Sequence, residues 1–218
     1  MILFLGEGRA KPGAELGPLT LTVAAMALIM GVYTLGLFSY ATVLATYRER
    51  GVFQRLRCAP VPAWQLLGAR LLVQLLAVVA QALILFVVVH VAYGVVPGAQ
   101  GALMALLAAL VSGITALAIG QVVVALVGTA NGVSNVSRVL LIVLLLLSGV
   151  FRAGADWPSL LQKIAGWTPI RLSEQLLRDA LVLQHWGTGD LKDLLGLLVW
   201  IAVLAYVGIS RFRWEASE

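Results

Sequence analysis

Five arginines fall within 23 residues of a chain that is otherwise strongly apolar: Arg48, Arg50, Arg55, Arg57 and Arg70. Glu49 is the acidic residue in this stretch, and long hydrophobic runs flank it on both sides. A charged piece between two runs of membrane-spanning length must lie on one side of a bilayer. Two interpretations are open: a solvated loop that touches anionic lipid, or a surface on which a partner protein acts.

Residue types that commonly serve in catalysis or metal binding are not grouped in this sequence. His90 and His185 are far apart without metal-ligand spacing, and the one cysteine, Cys58, excludes an internal disulfide and a cysteine-based metal site. Neither a Ser-His-Asp arrangement nor a phosphate-binding Gly-x-x-x-x-Gly-Lys-Ser/Thr loop is indicated. We therefore expect no catalytic residue, no metal and no bound cofactor, and any ATP that drives the protein is expected to bind another chain.

The composition indicates a membrane protein. The chain has 218 residues, of which 61% are hydrophobic and 11% are charged, whereas an ordinary soluble domain has about 25% charged residues. The net charge of +5 is explained by the excess of Lys and Arg on the cytoplasmic side of membrane proteins. We therefore expect the bilayer, and no nucleic acid, as a partner.

Apolar runs predict an all-α, polytopic transmembrane helical bundle, because a helix needs about 20 apolar residues to cross a bilayer. The predicted spans are residues 19–46, 65–96, 102–127, 133–151 and 194–210, in one membrane domain (residues 19–218) after an extracellular loop (residues 1–18). The fourth run crosses the bilayer only if residues 133–137 join the 13 uncharged residues 139–151 and the Arg138 side chain extends to the membrane surface. Otherwise this run is re-entrant. We favour the crossing. The five runs contain no acidic residue, which argues against an ion-coupled carrier and an intramembrane enzyme.

Two further stretches are predicted to be amphipathic helices at the membrane interface. Residues 48–58 place Val52, Phe53 and Leu56 on one helix face, and Pro60 ends that helix. Residues 152–192 predict two short helices folded back against the membrane surface. The first begins with Asp156 as cap and Pro158 in the first turn, and the second covers about residues 171–184.

Small and amide side chains within the spans predict helix packing. Ala105, Ala109 and Gly113 recur every four residues and form a stripe that another helix can approach closely. Gln74, Gln81 and Gln121 are interpreted first as interhelical hydrogen-bond partners, and second as groups that line a substrate path.

The charge distribution predicts which side of the membrane each loop occupies. The side that holds the basic segment, residues 128–138 and the C-terminus carries eight Lys and Arg and three acids, whereas the other side carries seven of each. The net charges are +5 and 0, so the positive-inside bias places the first side in the cytoplasm. The N-terminus and residues 152–192 are then extracellular.

The basic segment resembles the coupling helix of the type 2 ATP-binding-cassette permeases, the membrane subunits of bacterial drug, lipid and polysaccharide exporters. The matching positions are Glu49, Gly51, Arg55, Leu56, Pro60 and residues 66–70. The resemblance implies that this stretch docks on a separate ATPase subunit. The residues assigned to that role are Arg48, Glu49, Arg50, Gly51, Phe53, Arg55, Leu56, Arg57 and Pro60.

A second match is similar to the segment that the family places outside its last span, and it is assigned to an extracellular re-entrant segment. It is carried by Ser148, Gly149, Pro158, Pro169 and Arg178. The family often has proline where this chain has Arg152. Family members have six spans with both termini cytoplasmic, so the resemblance implies a first span upstream of residue 1. A truncated chain, a late start and a natural five-span form are the alternatives.

The resemblance implies a permease half in the cell inner membrane that forms a homodimer or heterodimer and pairs with ABC ATPase subunits. It would export a drug, lipid or other amphiphilic substrate, as in drug resistance, without being an enzyme itself. The substrate-binding residues are not indicated by the sequence. The alternative interpretation is a structural or assembly protein of the membrane that transports nothing.

Overall fold

The computed structural model describes residues 18–51, 63–93, 98–148, 158–183 and 185–211. These residues are helical without a strand, and five of their helices are long and apolar enough to cross a membrane. The predicted all-α polytopic bundle is therefore confirmed. The candidate spans are Leu21–Glu49, Gly68–Val91, Ala99–Leu126, Ala130–Ser148 and Thr188–Gly208.

The first span is one long helix with a wider turn in its middle. It consists of α1 (Pro18–Thr34), a π-helical segment (Leu35–Tyr40) and α2 (Ala41–Glu49). A π turn leaves backbone carbonyls without their usual partners, and hydroxyl side chains can satisfy them inside a membrane. At the end of this segment the Phe38 carbonyl accepts hydrogen bonds from the Ala41 amide and from the Thr42 hydroxyl.

The remaining helices are α3 (Ala63–Tyr93), α4 (Ala99–Leu126), α5 (Ala130–Ser148), α6 (Ser159–Gly166), α7 (Pro169–Val182) and α8 (Thr188–Arg211). The fourth predicted run forms the single 19-residue helix α5, so residues 133–137 do join it. The polar break expected over residues 128–138 is only the turn from Val127 to Thr129. Glycine, asparagine and serine beyond that turn are tolerated inside α5.

Helix α4 lies at the centre of the bundle, in contact with α1, α2, α3, α5, α7 and α8. It approaches the backbone of the π segment closely: a Cβ atom added to Gly36 would lie 2.6 Å from the Ala116 Cβ, and one added to Gly120 would lie 2.7 Å from the Gly36 carbonyl oxygen. Small residues permit such contacts between membrane helices. This crossing fixes the middle of the first span against the central helix.

Helices α6 and α7 form a hairpin, and α7 does not lie on the surface as the sequence analysis expected. It packs between α1, α4 and α8, with Ile170, Leu172, Leu176, Leu177 and Leu181 buried. It runs antiparallel to α8, since the Leu172 side chain meets Gly196 and the Trp200 indole donates to the Trp167 carbonyl over 2.9 Å. The apolar face of α7 is therefore covered by protein rather than by lipid headgroups.

The structure corrects three further expectations about the helices that follow α5. Helix α6 begins at Ser159, so Pro158 precedes it rather than lying in its first turn, and the predicted cap Asp156 lies outside the described residues. Helix α7 begins and ends two residues before the predicted bounds. The last span is not free of acids, because α8 begins at Thr188 and includes Asp190 and Asp193. Asp190 accepts a hydrogen bond from the Gly187 amide over 2.8 Å.

Candidate coupling site

Arg48, in the last turn of α2, turns into the bundle. Its guanidinium donates to the carbonyl oxygens of Val124, Val127 and Gly128, over 2.7 Å to the first and 2.8 Å to the last. These carbonyls are at the C-terminal end of α4, where a helix leaves acceptors without internal partners and carries a partial negative charge. One buried side chain therefore joins the end of the first span to the end of the central helix.

Glu49 makes the complementary contact at the start of the next helix. Its Oε1 accepts a hydrogen bond from the Ala130 amide over 2.6 Å, at the N-terminus of α5. A carboxylate is favoured there because the first amides of a helix lack partners and carry a partial positive charge. Arg48 and Glu49 thus hold opposite sides of the α4–α5 turn, and we call these two residues and that turn the α2 clamp.

The chain leaves α2 in a sharp turn immediately after the clamp. Arg50 is exposed, and Gly51 has φ 64°, a conformation that favours glycine because it has no Cβ. The predicted helix from residue 48 to residue 58 is therefore wrong at its start: Arg48 and Glu49 complete the first span, and Gly51 breaks the helix. Phe53, Arg55, Leu56, Arg57 and Pro60 lie outside the described residues.

The far side of the basic segment is also anchored to α2. The Arg70 guanidinium of α3 lies over the Tyr47 ring, with its central carbon 5.3 Å from the ring centroid. A cation in this position is attracted by the ring face. Residues 52–62 are therefore bounded on one side by the α2 clamp and on the other by the Arg70–Tyr47 contact.

The small residues and glutamines singled out in the sequence lie between helices. Ala105 and Ala109 are fully buried, and a Cβ on Gly113 would lie 3.0 Å from Val78 of α3. Gln121 accepts a hydrogen bond from the Tyr40 hydroxyl over 2.8 Å, and Gln81 donates to the Leu28 carbonyl over 3.3 Å. Gln74 is buried, and its amide nitrogen lacks a hydrogen-bond partner in the described structure.

The hairpin formed by α6 and α7 is joined to the first and fourth spans. The Tyr33 hydroxyl and the Ser173 Oγ are 3.1 Å apart and buried, and Arg171 donates to the carbonyl oxygen of Ser148 over 3.3 Å. Pro169 is buried at the start of α7, whereas Pro158 is exposed. Arg178 pairs with its neighbour Asp179 at 3.2 Å, and Gly149 lies outside the described residues. The hairpin therefore has fixed contacts to spans that also meet at the α2 clamp.

Glu174 is a buried carboxyl on α7 that the sequence analysis did not single out. Its exposed fraction is 3%, and its Oε2 lies 3.1 Å from the Arg171 guanidinium. Burial raises the pKa of the Glu174 carboxyl, and the charges of Arg171 and Arg178 oppose this rise without cancelling it. Burial and the nearby Asp190 carboxylate likewise raise the pKa of Asp179, against the opposing effect of Arg178.

Glu174 is expected to make the protein less stable as pH rises. Its pKa is higher in the folded chain than in the unfolded chain, so the folded state binds more protons between the two values. The stabilising contribution is complete below the ordinary glutamate pKa of about 4.3 and is lost as pH rises through the raised pKa. Thermal unfolding between about pH 4 and pH 8 measures this: Glu174→Gln should flatten the slope, and Asp179→Asn should flatten it separately. A Glu174→Gln slope equal to that of the wild type would contradict this linkage.

The fold and the clamped basic segment define a multi-pass membrane protein in which a charged segment is tied to the ends of several spans. A family model described as ABC-2 type transporter matches residues 3–182 of the chain. The chain therefore belongs to the ABC-2 type transporter family and is a membrane permease component of an ABC transporter. A comparison with curated proteins found no match.

Family membership implies that the permease pairs with an ABC ATPase subunit. In the structure, Arg48 and Glu49 join the start of the basic segment to the neighbouring spans. Sequence reasoning grouped Arg48 with the other arginines, although its place in the last turn of an apolar helix was a signal that it could turn inward. The Gly36–Gly120 contact was missed because neither glycine belongs to the four-residue stripe of α4.

Proposed function

We propose that this protein is the permease half of an ATP-driven exporter, and that residues 52–62 dock on the separate ATPase subunit. The observation that carries the proposal is the α2 clamp. Arg48 and Glu49 join the first span to α4 and α5 immediately before the basic segment. A partner that displaced this segment would act on several spans together rather than on one loop.

The mechanism is inferred from the positions of the α2 clamp, the Gly36–Gly120 contact and the α6–α7 hairpin. ATP closes the two ATPase subunits, and the docked segment moves with them. The displacement passes through Arg48 and Glu49 to the α4–α5 turn, and through the Gly36–Gly120 crossing to the centre of α4. The Tyr33–Ser173 contact then connects the first span to the α6–α7 hairpin. The chain itself performs no bond chemistry, and ATP is used by the partner.

The assembly is proposed to contain two permease halves, two ATPase subunits and the bilayer. Large apolar side chains remain exposed on α3, α5 and α8, including Val73, Ile84, Val139, Ile142 and Tyr206. These faces suit contact with lipid and with a second permease half. Positive charge bias supports a cytoplasmic C-terminus and cytoplasmic basic segment, with the α6–α7 hairpin on the opposite side.

Charge reversal in the basic segment tests the docking function. Arg55→Glu with Arg57→Glu is expected to lower ATPase co-purification at least about tenfold, because like charges replace a complementary contact. Arg211→Glu with Arg213→Glu is the matched control, since it reverses two arginines on the same predicted side but outside the segment. Pull-down and substrate-stimulated ATP hydrolysis measure the effect. If both double variants retain the ATPase equally, the docking role is wrong.

A further inference from the structure

Two buried hydrogen-bond donors of α3 have no acceptor in the part of the chain that the structure describes. They are the Nε atom of Arg70 and the amide nitrogen of Gln74, a residue with an exposed fraction of 7%. The two residues are four apart in the helix, so their side chains lie one turn from each other on the same face. Buried donors in proteins nearly always have a partner, because leaving one unpaired is costly. These two donors therefore indicate an acceptor that comes from outside the chain.

Arg70 is also a cation without an acidic partner. Both ion pairs among the described residues lie within α7. Glu49 is two residues after Tyr47, whose ring Arg70 covers, but its carboxylate already accepts a hydrogen bond from the Ala130 amide. The Tyr47 ring attracts the guanidinium without providing an oxygen acceptor for its N–H groups. A partner that supplies both the negative charge and the acceptor atoms is an anion.

The two donors lie close to the level of the lipid head groups. The candidate span of α3 begins at Gly68, so a rise of about 1.5 Å per residue places Arg70 about 3 Å and Gln74 about 9 Å along it. Side chains of a helix tilt towards its N-terminus, which brings the Gln74 amide back towards the level of Arg70. The neighbouring Leu72 and Val73 side chains are exposed and apolar, as suits contact with acyl chains. The anion that is available beside hydrocarbon at this level is the phosphate of a phospholipid.

We propose that Arg70 and Gln74 bind the phosphate of an anionic phospholipid from the leaflet that adjoins the basic segment. The surrounding charge favours an anionic lipid over a zwitterionic one. Arg50 is exposed just beyond α2, and an ammonium group on the lipid would lie in the same positive field. The bound lipid braces α3 against α2 beside the Tyr47 ring, where the basic segment ends. This inference goes beyond the proposed docking function, since the lipid binds without an ATPase subunit.

Native mass spectrometry of the full chain in detergent measures this binding as lipid adducts. The probes are phosphatidylglycerol, which is anionic, and phosphatidylcholine with the same acyl chains, which is zwitterionic. The first phosphatidylglycerol adduct should reach half-occupancy at a concentration about tenfold lower than the first phosphatidylcholine adduct, because charge-assisted hydrogen bonds are the stronger ones. Equal half-occupancy concentrations for the two lipids would overturn the proposal.

Substitution of the two donors tests where the lipid binds. Arg70→Gln is expected to raise the half-occupancy concentration of phosphatidylglycerol about tenfold, to that of phosphatidylcholine, because it removes the charge. Gln74→Leu should raise it about threefold, since a neutral hydrogen bond contributes less. Arg70→Lys should keep part of the preference for the anionic lipid, because lysine has the charge but not the planar fork of donors. Unchanged values in Arg70→Gln and Gln74→Leu would show that the lipid binds elsewhere and overturn the site.

Arg138→Gln is the matched control, because Arg138 is an exposed arginine of α5 within a candidate span. It should leave the phosphatidylglycerol value unchanged, and an effect equal to that of Arg70→Gln would contradict a specific site. Phosphatidylcholine binding is the internal reference, since it should be the same in every variant that folds as the wild type does.

An excess of inorganic phosphate separates the two sources of a phosphate group. It should not displace phosphatidylglycerol, because it lacks the acyl chains that contact the exposed face of α3. Displacement of the lipid would assign Arg70 and Gln74 to a free phosphate and overturn the lipid assignment.

Discussion

Gly120→Val is expected to lower the midpoint of thermal unfolding by roughly 5–10 °C, through a loss of about 3 kcal/mol. A Cβ atom at Gly120 would lie 2.7 Å from the Gly36 carbonyl oxygen and 3.5 Å from the Ala41 Cβ. The first of these is a backbone atom, so the clash cannot be relieved by turning a flexible side chain. The two helices must move apart along their length.

The cost is high because the crossing lies at the π segment of the first span. Gly36 belongs to that segment, and an added Cβ there would lie 2.7 Å from the backbone carbon of Ala116. Separation of α4 from this segment would also stretch the Tyr40–Gln121 hydrogen bond, which joins the same two helices. Gly36→Val and Gly120→Val should therefore be less than additive when combined, since each one already opens the same contact.

Gly68→Val is the matched control for this prediction. Gly68 is also a glycine within a membrane helix, but an added Cβ meets no atom within 4 Å. The control should change the unfolding midpoint by less than about 2 °C, as substitutions away from tight contacts do. Thermal unfolding of all the variants in one detergent makes the comparison. A Gly120→Val protein as stable as Gly68→Val would show that the helices do not meet closely there.

The number and type of the spanning elements could be predicted because hydrophobic length is a local property of the chain. A run of about 20 apolar residues crosses a bilayer whatever its neighbours are. The fourth span is the limiting case, because its uncharged apolar run alone is short for a crossing. Helix α5 is longer because it also includes Ser134, Asn135 and Ser137. The basic segment could likewise be located from charge alone.

The burial of α7 among other helices and the direction of the Arg48 side chain could not be predicted in this way. An amphipathic pattern such as that of α7 shows that one face is covered, but it does not distinguish headgroups from neighbouring helices. A charge pattern likewise gives the position of an arginine and not its rotamer. Arg48 and Arg50 are two residues apart, yet the first is buried on α4 carbonyls and the second is exposed. Those differences depend on tertiary contacts from residues more than 70 positions away.

Arg48→Gln is expected to destabilise the permease by about 3 kcal/mol, because it removes the charged donor from three carbonyl oxygens. The glutamine amide is shorter and cannot reach all three, so acceptors at the end of α4 are left without partners. Arg48→Lys should recover part of the loss, since an ammonium keeps the charge but lacks the planar fork of donors. Thermal unfolding of the three proteins measures both effects.

Arg50→Gln is the matched control, since it removes the exposed arginine two positions along the chain. It should change the free energy of unfolding by no more than about 0.5 kcal/mol. A double-mutant cycle between Arg48→Gln and Glu49→Gln tests whether the two halves of the α2 clamp act together, because both contact the same turn. Equal effects of the Arg48 and Arg50 variants would contradict the buried contacts of Arg48.

The Arg48→Gln variant also tests whether Arg48 contacts the ATPase subunit or transmits movement within the permease. If Arg48 acts only inside the permease, Arg48→Gln should still co-purify with the ATPase subunit while transport per ATP hydrolysed falls at least about tenfold, because the docked segment no longer moves α4 and α5 with it. If Arg48 instead contacts the ATPase, co-purification and hydrolysis should fall together. The structure favours the first outcome, since the guanidinium is buried within this chain against the carbonyl oxygens of Val124, Val127 and Gly128.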